Sequence, residues 1–359
     1  MPRAVDVFSG CGGLSTGLEK AGFTVYAAVE INPKAAATYR LNHENTRLFE
    51  NDVRKIKAAT LMRELGLRRG ELDLLAGCSP CQGFSRLRKG DEGAKDSRNQ
   101  LVFEFIRLVR GLYPKTILME NVPGLLNSPQ GKKVFRKVSR ELKDLGYKFD
   151  CRIIDTANYG IPQFRKRCVL LGSRYRKYEV FFPNQTHTSP DRAKHDGLEP
   201  WRTVRQTIEG LPPLENGSRD ATNPLHWCAK NGELNRRRIA EIPHDGGDRS
   251  SLPDELVLQC HRDYPNGFRD VYGRMRWDSP SPTMTGGCTN ITKGRFIHPE
   301  EDRGVSLLEA ALFQTFPPNY QFVGSFSDIS LQIGNAVPVE LGRVMGNSLA
   351  ECISRIEHA

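Results

Sequence analysis

The chain has 359 residues, which is enough for two domains at about 150 residues each. Hydrophobic residues make up 38% of it, so it can build a large core and long-range disorder is excluded. No apolar run approaches the ~18 residues of a membrane span, the first residues contain no signal-peptide hydrophobic stretch, and the nine cysteines are irregularly spaced. We therefore expect a cytoplasmic protein with reduced thiols, and we exclude the membrane and secreted classes.

Positive charge is concentrated in the first half of the chain. The net charge is +10; residues 1–173 contain 30 basic and 18 acidic side chains, whereas residues 174–270 contain 15 of each. The densest basic segment is 132–167, with eleven basic and four acidic residues. Such a surface is either solvated or a contact for a polyanion such as nucleic acid, and charge alone leaves both interpretations open.

Short apolar strands alternate with helical patterns in the first half, which is typical of a parallel sheet covered by helices. Asn32 and Pro33 predict the cap and the first residue of one of these helices. The predicted strands cover 4–8, 25–30, 72–76, 116–119, 152–155 and 168–171. The sequence therefore predicts an α/β fold.

The composition changes after about residue 174. Residues 174–270 are rich in proline and contain five of the eight histidines, with few periodic segments. Helical spacing returns at 305–316 and 339–353. We expect a large domain over 1–173, a smaller irregular domain over 174–270, and a return to the large domain over 271–359.

The first strand ends in a glycine-rich turn, Phe8-Ser9-Gly10-Cys11-Gly12-Gly13, and Glu30 closes the second strand. Glycine lets the backbone approach a ligand, and a carboxylate some twenty residues on can bind ribose hydroxyls. A dinucleotide site, a site for another nucleoside cofactor and a purely structural turn remain open here. Asp52 could accept from an adenine amino group or cap a turn.

Cys78-Ser79-Pro80-Cys81 follows a buried strand directly. This spacing suits a redox pair or half of a zinc site. No second C-x-x-C or close histidine pair completes a tetrahedral site, and the next twenty residues are polar and basic. The pattern favours Cys81 as a single nucleophile, followed by a cationic loop suited to closing over a phosphate backbone.

Glu120 also lies just past a buried strand, where it could be a general acid or a salt-bridge partner. Further on, Gln163-Phe164-Arg165-Lys166-Arg167 leads into another strand, and its alternation predicts Arg165 and Arg167 on the same face.

These motifs together resemble the bacterial-type cytosine-C5 DNA methyltransferase family, in the right order and over nearly the full chain. The matching segments are DVFSGCGG, SPCQGFS, ENV, QFRKR, the run from Arg274 to Thr283, and GNAVP. Two departures are Ser79, where the family usually has proline or a similar residue, and Asn51, where it commonly has glycine. Both leave the residues that carry the chemistry intact.

The resemblance implies a Rossmann-like S-adenosylmethionine-dependent methyltransferase sheet with helices on both faces, plus a target-recognition domain over 174–270. It implies methylation of C5 of a flipped-out cytosine in a short site of double-stranded DNA, for restriction-modification or phage-defence self-marking. S-adenosylmethionine would be the methyl donor, without a metal, and the protein a nucleoid-associated, prokaryotic-type cytoplasmic monomer with possible separate restriction or defence partners. An RNA-directed methyltransferase and a catalytically silent DNA-binding module are the alternatives.

The resemblance also implies roles for single residues. The catalytic residues would be Cys81, Glu120, Arg165, Asn121 and Arg167. The cofactor contacts would be Phe8, Gly10, Gly13, Glu30, Asp52, Pro80, Leu101 and Asn335. The DNA contacts would be Ser85, Arg86, Arg88, Gln163 and Thr283. In the middle segment Arg236, Arg237 and Arg238 are either base-reading donors or a solvated cluster.

Overall fold

A mixed sheet organises the first part of the computed structural model, which describes residues 1–80, 100–175, 177–178, 180–264, 267 and 270–358. Within these residues the sheet has seven strands in the order β3-β2-β1-β4-β5-β7-β6. The strands are β1 (Arg3–Val7), β2 (Thr24–Glu30), β3 (Arg47–Glu50), β4 (Leu74–Gly77), β5 (Thr116–Asn121), β6 (Lys148–Asp155) and β7 (Lys166–Ser173). The predicted α/β fold is confirmed, and β3, which is short and half-buried, is a strand that the sequence pattern did not predict.

The strands from β3 to β5 are parallel, whereas β7 runs antiparallel to both of its neighbours. The order of the sheet reverses between β1 and β4, so the crevice at their carboxyl ends is a topological switch point. In open α/β sheets such a crevice is where ligands bind. The glycine-rich turn after β1 and the segment after β4 both start there.

Helices cover both faces of the sheet. Those of this part are α1 (Gly13–Lys20), α2 (Pro33–Asn42), α3 (Ala58–Glu64), α4 (Leu101–Leu112), α5 (Gly124–Asn127), α6 (Pro129–Asp144) and α13 (Val339–Glu357). On one face Phe105 of α4 and Val138 of α6 belong to the same core as Met119 of β5. On the other face α1 and α13 cross closely, because a Cβ at Gly17 would lie 2.3 Å from the carbonyl oxygen of Val339. As predicted, Asn32 caps α2 by accepting from two backbone amides.

The described residues divide into two compact units. The first comprises Met1–Asp155, Lys166–Gln185 and Val337–Ala359, and contains the sheet. The second comprises Thr156–Arg165 and Thr186–Ala336. Its elements are short: β8 (His187–Thr188), α7 (Pro190–Asp196), β9 (Glu199–Pro200), α8 (Val204–Ile208), α9 (Glu233–Ala240), α10 (Gln259–Asp263), α11 (Leu307–Phe313) and α12 (Phe326–Asn335).

These units differ from the predicted boundaries, because 271–336 packs with the second unit rather than with the sheet. The reason lies in a small hydrophobic core: Ile239 and Ile242 pack against Tyr272, Ile291 and Ile297. A cut at residue 270 would divide this core. Only the last predicted helix, α13, returns to the first unit. Among the described residues, no helix combines the length and apolarity that crossing a membrane would require.

Candidate active site

The parallel pairing of β4 with β5 brings two of the sequence motifs side by side. Gly77 pairs with Met119 at the end of the ladder. One step further, the thiol of Cys78 donates a hydrogen bond to Oε2 of Glu120. One step beyond that, the Asn121 amide donates to both the carbonyl oxygen and Oγ of Ser79, each at 3.2 Å. The strand register therefore aligns the Cys78-Ser79-Pro80 segment with Glu120 and Asn121.

Close packing holds this register in place. A Cβ at Gly77 would lie 2.8 Å from the side chain and the carbonyl oxygen of Val7 and 3.1 Å from the ring of Phe105. Only glycine lets β4 approach both β1 and α4 so closely. The end of β4 is consequently a rigid support for the segment that follows it.

Glu120 is buried and held by donors on both of its carboxylate oxygens. Its exposed fraction is 3%, and Nε of Arg167 donates to Oε1 at 2.8 Å. Because β7 is antiparallel to β5 and pairs Asn121 with Cys168, Arg167 lies diagonally across from Glu120. Glu120 therefore forms a salt bridge, which was one of its two predicted roles. Its place at the end of a strand also suits the other predicted role, that of a general acid.

Asn121 connects β5 to Ser79, which precedes the predicted nucleophile by two residues. Its Oδ1 accepts from the backbone amide of Val122 at 2.8 Å while its amide holds Ser79, which is buried. Pro80, the next residue, is exposed. The predicted nucleophile Cys81 and the predicted DNA contacts Ser85, Arg86 and Arg88 lie outside the described residues.

The turn after β1 and the end of β2 form a second group of predicted residues. The backbone N–H of Gly10 donates to Oε2 of Glu30 at 2.8 Å, and the backbone N–H of Asn32 donates to Oε1 of Glu30 at 2.7 Å. Burial raises the pKa of the Glu30 carboxyl. Phe8 has φ 63°, an uncommon left-handed conformation for a residue with a side chain, and Gly10 has φ 57°. A Cβ at Gly10 would meet no atom within 4 Å, so the backbone of this turn borders open space.

The remaining predicted cofactor contacts have separate surroundings. Asp52 caps a short turn, and the Nε of Arg54 donates to both of its carboxylate oxygens, at 3.0 and 2.9 Å. These hydrogen bonds lower the pKa of Asp52. Gly13 begins α1, Leu101 begins α4 half-buried against the core, and Asn335, which is exposed, ends α12 in the second unit.

Two further residues beside this group are not predicted from the sequence. Ile31 follows Glu30 directly and is 62% exposed, which is unusual for a large apolar side chain beside buried strands. Asp6 in β1 has no exposed surface; Oγ of Ser15 donates to its Oδ2 at 2.7 Å and in turn accepts from the Tyr39 hydroxyl at 2.8 Å. Burial raises the pKa of Asp6 to about 7. The sequence signal for Asp6 is a single carboxylate within the otherwise apolar end of the strand Arg3–Val7.

In the second unit two distant segments supply main-chain carbonyls to Arg165. Its Nη1 donates to the Met284 carbonyl at 2.6 Å, and its Nη2 donates to the carbonyls of Gly334 and Ala336 at 3.2 and 3.1 Å. The guanidinium is buried, with 3% of the residue exposed. Arg165 and Arg167 are predicted on the same face, but they belong to different units. Arg165 donates to carbonyls of the second unit, whereas Arg167 pairs with Glu120 of the first unit.

The other two predicted DNA contacts of the described chain are tied into the same network. Gln163 has no exposed surface. Its side-chain Nε2 donates to Oε1 of Gln314 at 2.9 Å, and its Oε1 accepts from the backbone N–H of Met284 at 2.9 Å. The hydroxyl of Thr283 donates to the Phe164 carbonyl at 2.7 Å. These hydrogen bonds hold segments of the second unit together, and the DNA contacts of Gln163 and Thr283 stay predictions.

The three consecutive arginines of α9 also separate. Arg238 is buried, donates through Nε to the Leu256 carbonyl at 2.8 Å, and lies 5.7 Å from the ring centre of Tyr272. Arg236 and Arg237 are exposed, and Arg236 pairs with Glu233. Only these two can reach a partner from the helix surface. Within the described ranges, no group of three or more His, Cys, Asp or Glu side chains is arranged to hold a metal ion.

Comparison with known proteins agrees with this arrangement. The family model described as C-5 cytosine-specific DNA methylase matches residues 3–351. The chain belongs to this family, and the predicted resemblance is confirmed. The chain is 37% identical over 353 residues to the Type II methylase M.HgiDII of Herpetosiphon aurantiacus, covering 96% of this chain and 94% of the relative. It is 32% identical to the Type II methyltransferase M1.HphI of Haemophilus parahaemolyticus, covering 96% and 86%.

Solved structures share the fold. A putative DNA modification methyltransferase encoded within a prophage of E. coli superposes with a TM-score of 0.76 at 23% identity, covering 99% of this chain and 100% of that one. A DNMT2 mutant of Spodoptera frugiperda superposes with a TM-score of 0.65 at 18% identity, covering 98% and 100%. These two structures show the fold, whereas the family match and the identity to M.HgiDII show that the protein is a DNA cytosine-C5 methyltransferase, which acts on DNA.

Proposed function

We propose that the protein methylates C5 of one cytosine in a short site of double-stranded DNA, with Cys81 as nucleophile and Glu120 as proton donor. The observation that carries this assignment is the alignment of Cys78-Ser79-Pro80 with Glu120 and Asn121 across β4 and β5. Cys81 comes one residue after this segment. A nucleophile and an acid supplied by neighbouring strand ends are what the reaction requires.

Cytosine C5 is too weak a nucleophile to take a methyl group unaided. Addition of the Cys81 thiolate to C6 makes an enamine whose C5 can attack, which is covalent catalysis. The addition places negative charge at N3, so a proton delivered there by Glu120 in its protonated form lowers the barrier. Loss of the C5 proton, to water in this proposal, and departure of the Cys81 thiolate then restore the ring, and the proton on N3 returns to Glu120.

Three further side chains support these steps. Asn121 fixes the backbone at Ser79, two residues before Cys81. Arg167 fixes Oε1 of Glu120. Arg165 would meet the cytosine O2; three main-chain carbonyls fix its guanidinium plane, which suits a group that must donate in one orientation. Because C6 is inaccessible in stacked DNA, the target base must be flipped out of the duplex.

The turn after β1 fits a nucleoside-bearing cofactor. The Glu30 carboxylate is held in one orientation by two amides and can accept from ribose hydroxyls. The open space at Gly10 admits a ligand against the backbone, and Ile31 offers an exposed apolar surface to a base. When bound, S-adenosylmethionine supplies an electrophilic methyl group on a sulfonium. Phe8, Gly13, Pro80, Leu101 and Asn335 are further proposed contacts, and Asp52 would serve an adenine amino group while also bound to Arg54.

The biological role proposed is self-marking in a restriction-modification or related defence system, because the relatives named above are Type II enzymes. A cytoplasmic, nucleoid-associated monomer acting beside a separate restriction or defence protein is part of this proposal. Target choice is assigned to the second unit, and exposed Arg236 and Arg237 are the candidates there for contact with DNA.

The test is to map methylation in cells that express the full chain, with the Cys81→Ala variant as the control. We expect 5-methylcytosine at one position of a short DNA motif with the active protein and none with Cys81→Ala. In vitro, the active protein should form a denaturant-resistant adduct with 5-fluorocytosine DNA in the presence of S-adenosylmethionine, because after methyl transfer fluorine cannot leave as the proton does. Adduct formation by Cys81→Ala would show that another residue is the nucleophile.

Two alternatives have distinct outcomes in the same experiment. Methylation of cellular RNA without methylation of DNA would indicate the RNA-directed enzyme. DNA binding by the purified protein without methylation of any substrate would indicate a silent binding module. The joint presence of Cys81, Glu120 and Arg165 weighs against the silent module, which need keep none of them.

A further inference from the structure

Cys78 is the cysteine of the C-x-x-C motif to which the mechanism assigns no role. It lies half-buried directly after β4, and its thiol donates to Oε2 of Glu120. We propose that Cys78 is a positioning residue for Glu120, and that it fixes the carboxyl group that protonates cytosine N3. This inference rests on the proposed function of Glu120.

The geometry of the carboxyl group carries the inference. Arg167 donates to Oε1 from β7, and Cys78 donates to Oε2 from the end of β4. A carboxyl group with a donor on one oxygen only can rotate about its last side-chain bond, because such torsions have broad minima. Donors on both oxygens, supplied by strands on the two sides of β5, remove this freedom.

Strand register explains why residue 78 has this contact. Gly77 pairs with Met119, so Cys78 is opposite Glu120 in the extension of the ladder. The close approach of Gly77 to Val7 and Phe105 leaves β4 no room to shift away from β5. The position of the thiol is therefore set by the sheet.

A thiol suits this position chemically. Its S–H is a weak donor, so it can orient Oε2 in the resting enzyme and give way to the stronger hydrogen bond with N3 of the bound base. The transfer of a proton depends on a carboxyl group within hydrogen-bonding reach at the correct angle. Cys78 thus affects the chemical step rather than the binding of DNA.

The test compares Cys78→Ala with Cys78→Ser in the full-length protein, because these variants differ only in a hydroxyl donor. Methyl transfer from labelled S-adenosylmethionine to a duplex containing the mapped site is measured, together with KM for DNA and the melting temperature. We expect Cys78→Ala to lower kcat about tenfold to a hundredfold, the size of effect that a misplaced catalytic group produces, with KM changed less than about threefold. Cys78→Ser should remain within about threefold of the native kcat, since it retains a donor.

A second comparison uses Glu120→Gln, with and without Cys78→Ala. If Cys78 acts through Glu120, adding Cys78→Ala to Glu120→Gln should lower kcat less than about twofold further, because residues that act as a unit are not additive. Should Cys78→Ala fail to fold, Cys78→Val replaces it as the variant without a donor. The melting temperature separates a loss of rate from a loss of stability.

Three results would overturn the inference. These are a native kcat for Cys78→Ala, an equal loss for Cys78→Ser and Cys78→Ala, or the same fold-loss from Cys78→Ala in both backgrounds. Each of them leaves the proposed function intact as long as Glu120→Gln itself loses most of its rate. A near-native rate for Glu120→Gln would instead overturn the role of Glu120 on which the inference rests.

Discussion

Nε of Arg167 lies 2.8 Å from Oε1 of Glu120, an ion pair between neighbouring antiparallel strands in which both side chains are largely buried. A buried ion pair gains stability only when both partners are present, because each charge alone would be left desolvated. The catalytic carboxylate and its arginine therefore depend on each other, and this dependence can be measured.

Arg167→Met should lower the free energy of unfolding by about 3–5 kcal/mol, the cost of leaving a buried charge without its partner. Combining Arg167→Met with Glu120→Gln should recover a large part of this loss, because no charge then remains. Urea denaturation followed by circular dichroism measures the cycle. Strictly additive losses would show that the two side chains are not coupled.

Glu120→Gln should retain the fold but lose most of the rate. The amide has the same shape and can accept from Arg167, yet it cannot deliver a proton to N3. Removal of a general acid typically costs about 10²–10⁴-fold in rate. Single-turnover methyl transfer at saturating DNA is the measurement. A rate within about threefold of the native rate would mean that Glu120 has a structural role only.

Asp6 should make stability depend on pH. Its folded pKa of about 7 is above the unfolded value of 3.8, so the folded protein holds this proton more tightly. The stability that this proton provides is fully present below the unfolded pKa and is lost as the pH rises through the folded pKa. Between pH 5.5 and 7.5 the loss is about 2 kcal/mol at 1.36 kcal/mol per unit.

Asp6→Asn is the matched variant, because an amide does not titrate in this range. The difference in unfolding free energy between the native protein and Asp6→Asn should fall across that interval and stay constant above about pH 8. Chemical denaturation at four pH values tests this. Parallel pH curves for the two proteins would contradict it.

Arg238 and Arg237 should behave differently although they are adjacent in sequence. Arg238→Ala removes the donor to the buried Leu256 carbonyl, so we expect about 1–3 kcal/mol of lost stability. Arg237→Ala changes an exposed side chain, so stability should change by less than about 0.5 kcal/mol while the affinity for target DNA falls about tenfold. Thermal unfolding and fluorescence anisotropy with labelled duplex distinguish the two. Equal DNA affinity for Arg237→Ala and the native protein would remove Arg237 from the DNA interface.

Target preference should move with the second unit. A graft of 186–336 onto a related methyltransferase of known site should transfer the site preference of this protein, because this range contains the whole core of Ile239, Ile242, Tyr272, Ile291 and Ile297. A graft of 174–270 divides that core and should give less folded protein. Bisulfite sequencing of plasmid DNA is the readout. An active chimera that still methylates the original site of its host would place specificity elsewhere.

The sequence by itself determined the fold class and the strand ends at which chemistry would occur. A short apolar run predicts a buried strand, and three such runs are followed by the glycine-rich turn, by Pro80 and by Glu120. These residues are predicted to lie at one edge of the sheet, since the carboxyl ends of parallel strands share an edge. This was enough to predict the family, because the motifs and their order are properties of the chain alone.

Only the tertiary structure decided which side chains meet. The contacts of Glu120 with Cys78 and Arg167 depend on the register of β4 and on the antiparallel direction of β7, and neither is encoded in the local spacing of residues. Gln163 and Arg238 have polar side chains that sequence reasoning assigns to a surface, yet both are buried because distant carbonyl groups satisfy them. Residue type predicts which bonds a group can make, whereas packing between distant segments decides whether water or protein makes them.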